Sequence, residues 1–391
     1  MRWLWILLLP MTLSAYTPVT IPNGTKLPYK MVDGVKEFHL VAEPIEHEFC
    51  PGMKVNCWGY NGQTPGPVIE AVEGDRVRIY VTNKLPEETT THWHGLILPN
   101  GMDGVYALTQ PGIKPGETFV YEFTLKQSGT FMYHPHFDDI SQIGLGMMGF
   151  FIIHPKEEVN PVDRDFLIML MAWAVPPGAV TPNVMTMDLN YFTFNSCFYP
   201  KTEPLVVKEG EKVRIRFGNL SLIPHPIHLH GYEFTVTRMG AKRLPKSAQY
   251  TDVTVNVPVG TTRDIEFIAD NLGDWAMHCH ITHHAAMNGM GDTKAVMLNA
   301  ELGEIAERIA KLIPGYAQMG VTGFGMMFTK HHQMMPRPAN FVPWGAPGQF
   351  GVLELSGMFT VLKVRKHLEN YNDPGWYSHP PHTTAYPLDE S

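Results

Sequence analysis

The chain has 391 residues, more than twice a typical single-domain length, so two domains are the default and three are possible. It carries 35 glycines and 33 prolines but only 17% charged residues, against roughly 25% in ordinary soluble proteins; this loop-rich composition predicts an all-β protein and excludes a helical bundle or coiled coil. A net charge of −8 speaks against nucleic-acid binding, which needs a basic face, and four cysteines are too few for a disulfide scaffold.

Residues Met1–Ala15 read as a secretory signal: Arg2, the apolar run Trp3 to Leu9, then the small residues Ser14 and Ala15. The run is too short to cross a bilayer, which takes about 20 residues, and no later segment reads as a membrane span. The mature chain is therefore expected to be exported, periplasmic or extracellular, where Cys50 and Cys57 could pair across a tight loop.

The chain then repeats itself. Glu73-Gly74-Asp75-Arg76-Val77-Arg78-Ile79 matches Glu209-Gly210-Glu211-Lys212-Val213-Arg214-Ile215 at a shift of 136, and Asn83 and Asn219 keep that shift. Each copy alternates apolar and polar residues after a turn glycine, as a half-buried strand does. His92-Trp93-His94-Gly95 maps by the same shift onto His228-Leu229-His230-Gly231. Gly129 to His134-Pro135-His136 maps onto Gly273 to His278-Cys279-His280 at a shift of 144. Two homologous β-domains follow, 36–156 and 164–300, joined by the segment Lys156 to Arg164, and their size suits a Greek-key barrel or sandwich. Residues 301–391 do not repeat and are expected to be an extension. They comprise an amphipathic helix (Leu302, Ile305, Ile309, Leu312), a loop with Met319, Met326, Met327, Met334 and Met335 beside His331 and His332, and a strand from Met358 to Val364. Thioether sulfur favours Cu(I), although methionine also serves as a flexible filler.

Histidine placement carries the chemistry. In a strand, residues i and i+2 share a face, so each His-x-His presents two imidazoles side by side; four such pairs converging would give eight nitrogen ligands. The second half adds His225, Cys279 and His284, with Met290 or Met287 nearby. Two histidines, a thiolate and a weak axial thioether form the ligand set of blue-copper electron-transfer sites. Shifted back, His225 falls on Thr89, Cys279 on Pro135 and His284 on Ile140, so the first half cannot build that site. Cys279 lies between His278 and His280, and a path of a few covalent bonds would join the two kinds of site.

These four segments, with Asn61 to Pro67 and Asp103-Gly104-Val105, resemble the copper signatures of multicopper oxidases over residues 60–295. The resemblance implies two cupredoxin-like domains and four coppers per chain. By it, His225, Cys279 and His284 hold the type 1 copper. His92 and His228 hold the type 2 copper, and His94, His134, His136, His230, His278 and His280 hold the type 3 pair. Met290, one position beyond the usual axial place, and Met287 both stand as axial candidates; His284 fits the family spacing from Cys279 better than His283. Thr282 occupies a place where some members carry a proton-delivering acid, which leaves Asp103 and Asp138 as candidates for that task. The chain further resembles two-domain small laccases, implying a head-to-tail homotrimer with a trinuclear cluster at each subunit interface. The expected activity is oxidation of one-electron donors, phenols or metal ions such as Cu(I), coupled to reduction of O₂ to water. The alternatives are a copper-binding or resistance protein without turnover, or a copper nitrite reductase.

Overall fold

Both copies of the repeated segment form strands whose valine and isoleucine side chains enter a core, Val77 and Ile79 in one, Val213 and Ile215 in the other. The computed structural model describes residues 16–286, apart from 177, 178 and 241, and residues 346–388, apart from 354 and 356. The signal sequence, the 302–312 helix, the methionine loop, Met287 and Met290 lie outside the described residues.

The strands of the first half are β1 (Tyr29–Val32), β2 (Val35–Cys50), β3 (Met53–Tyr60), β4 (Gly66–Val72), β5 (Arg76–Asn83), β6 (His92–His94), β7 (Thr118–Thr124), β8 (Gly129–His134) and β9 (Gly149–His154). A short helix α1 (Asp139–Gly144) links the last two. The second half comprises β10 (Arg164–Trp173), β11 (Tyr191–Phe194), β12 (Leu205–Lys208), β13 (Lys212–Asn219), β14 (His225–Leu229), β15 (Phe234–Met239), β16 (Lys242–Arg243), β17 (Tyr250–Asp252), β18 (Thr254–Val257), β19 (Thr261–Ile268), β20 (Gly273–Cys279) and helix α2 (Thr282–Ala286). The hairpin β21 (Ala346–Gly348) and β22 (Gly351–Leu353) precedes the last strand, β23 (Phe359–Arg365).

Each half is a cupredoxin-like two-sheet barrel. In the first, β1-β2-β5-β7, with β3 on β2, closes over β4-β9-β8-β6; in the second, β11-β10-β13-β19-β15-β16 closes over β12-β23-β20-β14-β18. The orders β4-β9-β8-β6 and β12-β23-β20-β14 correspond, and both begin with a parallel pair. The strand expected in a C-terminal extension is thus the counterpart of β9 and completes the second barrel. The long insertion between Cys279 and Phe359 hides this relation from the linear repeat.

The two barrels share a third apolar core, in which Phe49, Met53 and Val55 of the β2–β3 hairpin meet Leu167, Met169 and Trp173 of β10. The repeated strands also differ here. Arg78 and Tyr80 of β5 face a half-exposed side, whereas their counterparts Arg214 and Arg216 of β13 are buried. Burying a charge is costly unless it is paired. Arg216 accordingly donates from Nε and Nη2 to the two oxygens of Asp165, both at 2.8 Å, and from Nη1 to Thr130 of β8 at 2.9 Å. Thr130 in turn donates to Asp264 at 2.8 Å, and Glu266 accepts from Arg214 and Arg243. The network fastens β8, which ends at His134, to the second barrel.

All four cysteines are buried and stand as thiols in this structure. In the β2–β3 hairpin Cys50 pairs with Met53, and Cys57 lies four residues farther along β3, or about 13 Å at strand rise, beyond the ~7 Å limit for a bridge. The Cys50–Cys57 pairing that the sequence allows is therefore excluded.

Two outcomes follow from the buried ion network. Replacing Asp165 with Ala leaves Arg216 buried without its carboxylate and should cost about 3–5 kcal/mol in denaturant unfolding; a loss below about 1 kcal/mol would show that the network is idle. Burial alone would raise the Glu266 carboxyl, but hydrogen bonds and charge from Arg243 and Arg214 outweigh it and hold it at about 2. Its stabilisation is present above the unfolded value of about 4.3 and is lost as pH falls towards 2. The stability gap between wild type and Glu266→Gln should therefore be full at pH 7 and shrink below pH 4; a pH-independent gap would contradict this assignment.

Candidate metal centre

An asparagine sets the approach to each His-x-His strand. Asn83 at the end of β5 donates to the Glu87 and Ile113 carbonyls and accepts from Leu85 N–H. Its repeat partner Asn219 does the same with the Ile223 and Val257 carbonyls and Ser221 N–H. The loops so pinned deliver His92 and His94 on β6, and His225 and His228 on β14. Gly104 then matters at one place: with φ +80, any Cβ there would stand 1.8 Å from the Thr91 carbonyl oxygen. Only glycine lets that loop reach β6, and the reach puts the Asp103 carbonyl 2.8 Å from His92 Nδ1.

In the first barrel His92, His94, His134 and His136 form one quartet, with ring centres 5.3 to 6.3 Å apart. A carbonyl only accepts, so the ring nitrogen facing it carries the proton. His92 Nδ1–H donates to Asp103, His134 Nδ1–H to Pro135 at 2.8 Å, and His94 Nε2–H to Gly260 of the second barrel at 3.0 Å. The other nitrogens of these three rings are bare lone pairs, and two of them, His94 Nδ1 and His134 Nε2, face each other at 3.2 Å. Burial pushes His134 down to about 3 and lowers His94 as well, so neither ring gains a proton near neutrality.

The second barrel repeats the arrangement. His228, His230, His278 and His280 make the same five ring contacts, with centres 4.7 to 5.8 Å apart. His228 Nδ1–H donates to Val253 at 2.7 Å and His278 Nδ1–H to Cys279 at 2.9 Å; His278 Nε2 then faces His230 Nε2 at 3.1 Å. Among the described residues no contact joins a histidine of one quartet to a histidine of the other.

On the opposite face of β20 lies the sulfur site. Strand alternation turns Cys279 inward, while His278 and His280 point outward. Cys279 Sγ stands 3.9 Å from His225 Nδ1 and 3.5 Å from His284 Nδ1, and the two nitrogens are 3.2 Å apart. Ser221 Oγ donates to Asn219 Oδ1 and accepts from His225 Nε2–H at 2.9 Å, which leaves His225 Nδ1 bare. Burial lowers His225 to about 3 and raises the Cys279 thiol to about 12; burial, then the neighbouring His225 and His283, lower His284 to about 2. The site is thus neutral without a cation. The entry to β23 holds it in place: Cys279 N–H donates to the Met358 carbonyl at 3.0 Å, and Met358 N–H to the His284 carbonyl at 2.9 Å.

All eleven expected nitrogen and sulfur ligands thus fall into three clusters. His283, the alternative to His284, packs edge-on against Phe192 and His284 outside the triad. Asp103 Oδ1 lies 3.4 Å from His92 Nδ1. Asp138 precedes α1 at φ 44 and makes no cap hydrogen bond; its neighbour Asp139 faces His136 Nδ1 at 3.6 Å. Sequence reasoning missed Asp139, Ser221 and the β23 clamp. Only Ser221, four residues before His225, offered a local cue.

Family models described as multicopper oxidase match residues 42–158 and 175–295, together more than half of the chain. The chain belongs to the multicopper oxidase family. It is 30% identical to the solved blue copper oxidase from Nitrosomonas europaea, covering 65% of this chain and 81% of that one at a TM-score of 0.59. The solved multicopper oxidase mgLAC is 26% identical, covering 85% of this chain and 87% of that one at a TM-score of 0.62. Copper resistance protein A of Escherichia coli is 40% identical over 136 residues, 34% of this chain and 22% of that protein. The matched stretch spans about a quarter of the length of the first curated relatives.

The donor atoms fit copper. The lone pairs of His94 Nδ1 and His134 Nε2, 3.2 Å apart, repel unless a cation lies between them, and two nitrogens each about 2.0–2.1 Å from one ion stand roughly that far apart; the nitrogens of His230 and His278 and of His225 and His284 are spaced alike. Imidazole suits copper, and the thiolate of the triad adds the soft donor of a blue site. A Cβ on Gly357 would stand 2.0 Å from the His284 carbonyl oxygen, so that carbonyl must move. Gly357→Ala should weaken copper at the triad about tenfold or more, read as loss of the blue absorption during competition with a chelator. Retention of the blue band at wild-type chelator concentrations would contradict the clamp.

Proposed function

We propose that the chain is a laccase-like oxidase that takes single electrons from a phenol or a metal ion such as Cu(I) and passes four of them to O₂, forming two waters. The observation that carries this reading is the sharing of one strand: Cys279 of the buried triad is bonded through the backbone to His278 and His280 of the second quartet. Bound copper would supply the redox chemistry, with one ion at His225, Cys279 and His284 and three held by the eight remaining histidines. The chain's own part is to fix the free nitrogen of His92, His94, His134, His225, His228 and His278 through a carbonyl or hydroxyl on the other side, to keep water from the sulfur, and to provide a through-bond path from Cys279 to the quartet. Asp103 beside His92 and Asp139 beside His136 are the carboxylates best placed to hand protons to the reduced oxygen; Asp139 takes the place expected for Asp138. Pro135 stands where Cys279 stands in the second barrel, so the first barrel offers no sulfur site, which disfavours a nitrite reductase. A copper store would not need the Cys279 link.

Eight ligands in two quartets also call for a second chain. His230 and His280 are exposed, and His92, His94 and His136 are half-exposed. Exposed apolar side chains flank both quartets in sequence, Ile97, Leu108 and Ile140 for the first, Leu222 and Val253 for the second. A head-to-tail ring would bring the first quartet of one protomer onto the second quartet of its neighbour and cover both patches. We therefore assign the protein as a homotrimer with four coppers per chain, exported to the periplasm or cell exterior like its proposed signal suggests.

In the copper-loaded protein, Cys279→Ser should abolish the blue absorption and reduce oxygen uptake with a phenol by at least 10³-fold while the trimer persists. Undiminished turnover would remove Cys279 from the electron path. Mixing is the test of the ring. A His94→Ala/His134→Ala variant and a His230→Ala/His278→Ala variant, each inactive, should regain oxygen uptake when unfolded together and refolded. A monomeric mass by light scattering, or no recovery in correctly assembled mixtures, would rule the shared site out.

A further inference from the structure

Two thiols take no part in the sulfur site. Cys50 ends β2 and Cys197 follows β11, each only 2% exposed, one in each half of the chain. The backbone brings them together: Phe198 N–H donates to the Phe49 carbonyl at 3.1 Å. That bond sets the residue before Cys50 against the residue after Cys197, and the two thiols lie near enough for their charges to interact. Neighbours tighten the contact: His47 Nε2–H donates to the Ser196 carbonyl at 2.6 Å, Lys201 Nζ reaches the Glu48 carbonyl at 2.5 Å, and the rings of Phe49 and Phe198 stack at 6.1 Å. Disulfides join Cα atoms about 4.4–6.8 Å apart.

We infer that Cys50 and Cys197 form a disulfide that ties the β2–β3 hairpin of the first barrel to the β11 turn of the second. The oxidant is an external disulfide R–S–S–R, either a small molecule or a protein. One cysteine thiolate attacks it and releases R–SH; the other cysteine then displaces the second R–SH. Two cysteine thiols are oxidised to one cystine while one external disulfide is reduced to two thiols. Burial raises both thiols to about 12 in the packed protein, so the exchange belongs to folding, before the barrels close over them. The bridge restrains the unfolded chain over the long loop from residue 50 to residue 197 and fixes the barrels against each other.

The full-length chain is refolded in a buffer of oxidised and reduced glutathione, denatured, stripped of metal with EDTA, alkylated with N-ethylmaleimide and digested without reductant. The expected map shows Cys57 and Cys279 alkylated and the Cys50 peptide joined to the Cys197 peptide, separable by dithiothreitol. Four alkylated cysteines, or a bridge to Cys57, would overturn the inference. Thermal unfolding gives a second readout. Cys50→Ser, Cys197→Ser and the double variant should share one lowered Tm, matching wild type in dithiothreitol; a double variant as unstable as the two single losses added would contradict a common bond.

Discussion

The alternation of side chains along β20 is the constraint on which the rest depends. Residues 278, 279 and 280 cannot share a face, so the sulfur goes into the second core and both imidazoles go out. One strand therefore serves a dry, neutral triad and a half-exposed nitrogen cluster, a few covalent bonds apart. No loop would hold that division as firmly, because β20 is paired on both sides, with β14 through His228↔His278 and with β23 through His278↔Phe359.

Preorganisation of the ligands comes mostly from the backbone. Carbonyls of residues 103, 135, 253, 260 and 279 each take one imidazole proton and leave the other nitrogen bare. A carbonyl cannot rotate away or change protonation as a side chain can, so tautomer and ring direction are fixed before any ion arrives. Ser221 does the same for His225, and it stands where the first barrel has Leu85. The hydroxyl thus occurs in the barrel that carries the sulfur site and not in the other. The Gly260 carbonyl adds a tie between halves, since its acceptor belongs to the second barrel and His94 to the first.

Much of this was legible in the sequence because its signals are local. The repeated strand, the His-x-His pairs and the Cys279 triad each occupy a few adjacent residues or a short spacing, and strand geometry turns such spacing directly into facing side chains. The same locality explains the failures. Cys50 and Cys57 flank a short loop and could pair by spacing alone, yet strand register carries them far apart, while Cys197 lies on another barrel. The 359–365 strand reads as part of an extension because its partners β12 and β20 precede it by long stretches of chain. Asp138 and Asp139 are adjacent carboxylates, and only the turn into α1 decides which of the two faces His136. Nonlocal pairing leaves no short-range pattern.

The buried ion network and the shared apolar core hold the two barrels in one orientation, and in that orientation the two quartets make no contact with each other. That geometry makes the shared cluster between chains the central claim. Diffraction from crystals of the copper-loaded protein, with anomalous differences collected at the copper edge, tests it most directly. One isolated peak beside Cys279 and a group of three between the first quartet of one protomer and the second quartet of the next would agree with the account. Separate peaks at each quartet, with no neighbouring chain supplying histidines, would contradict it.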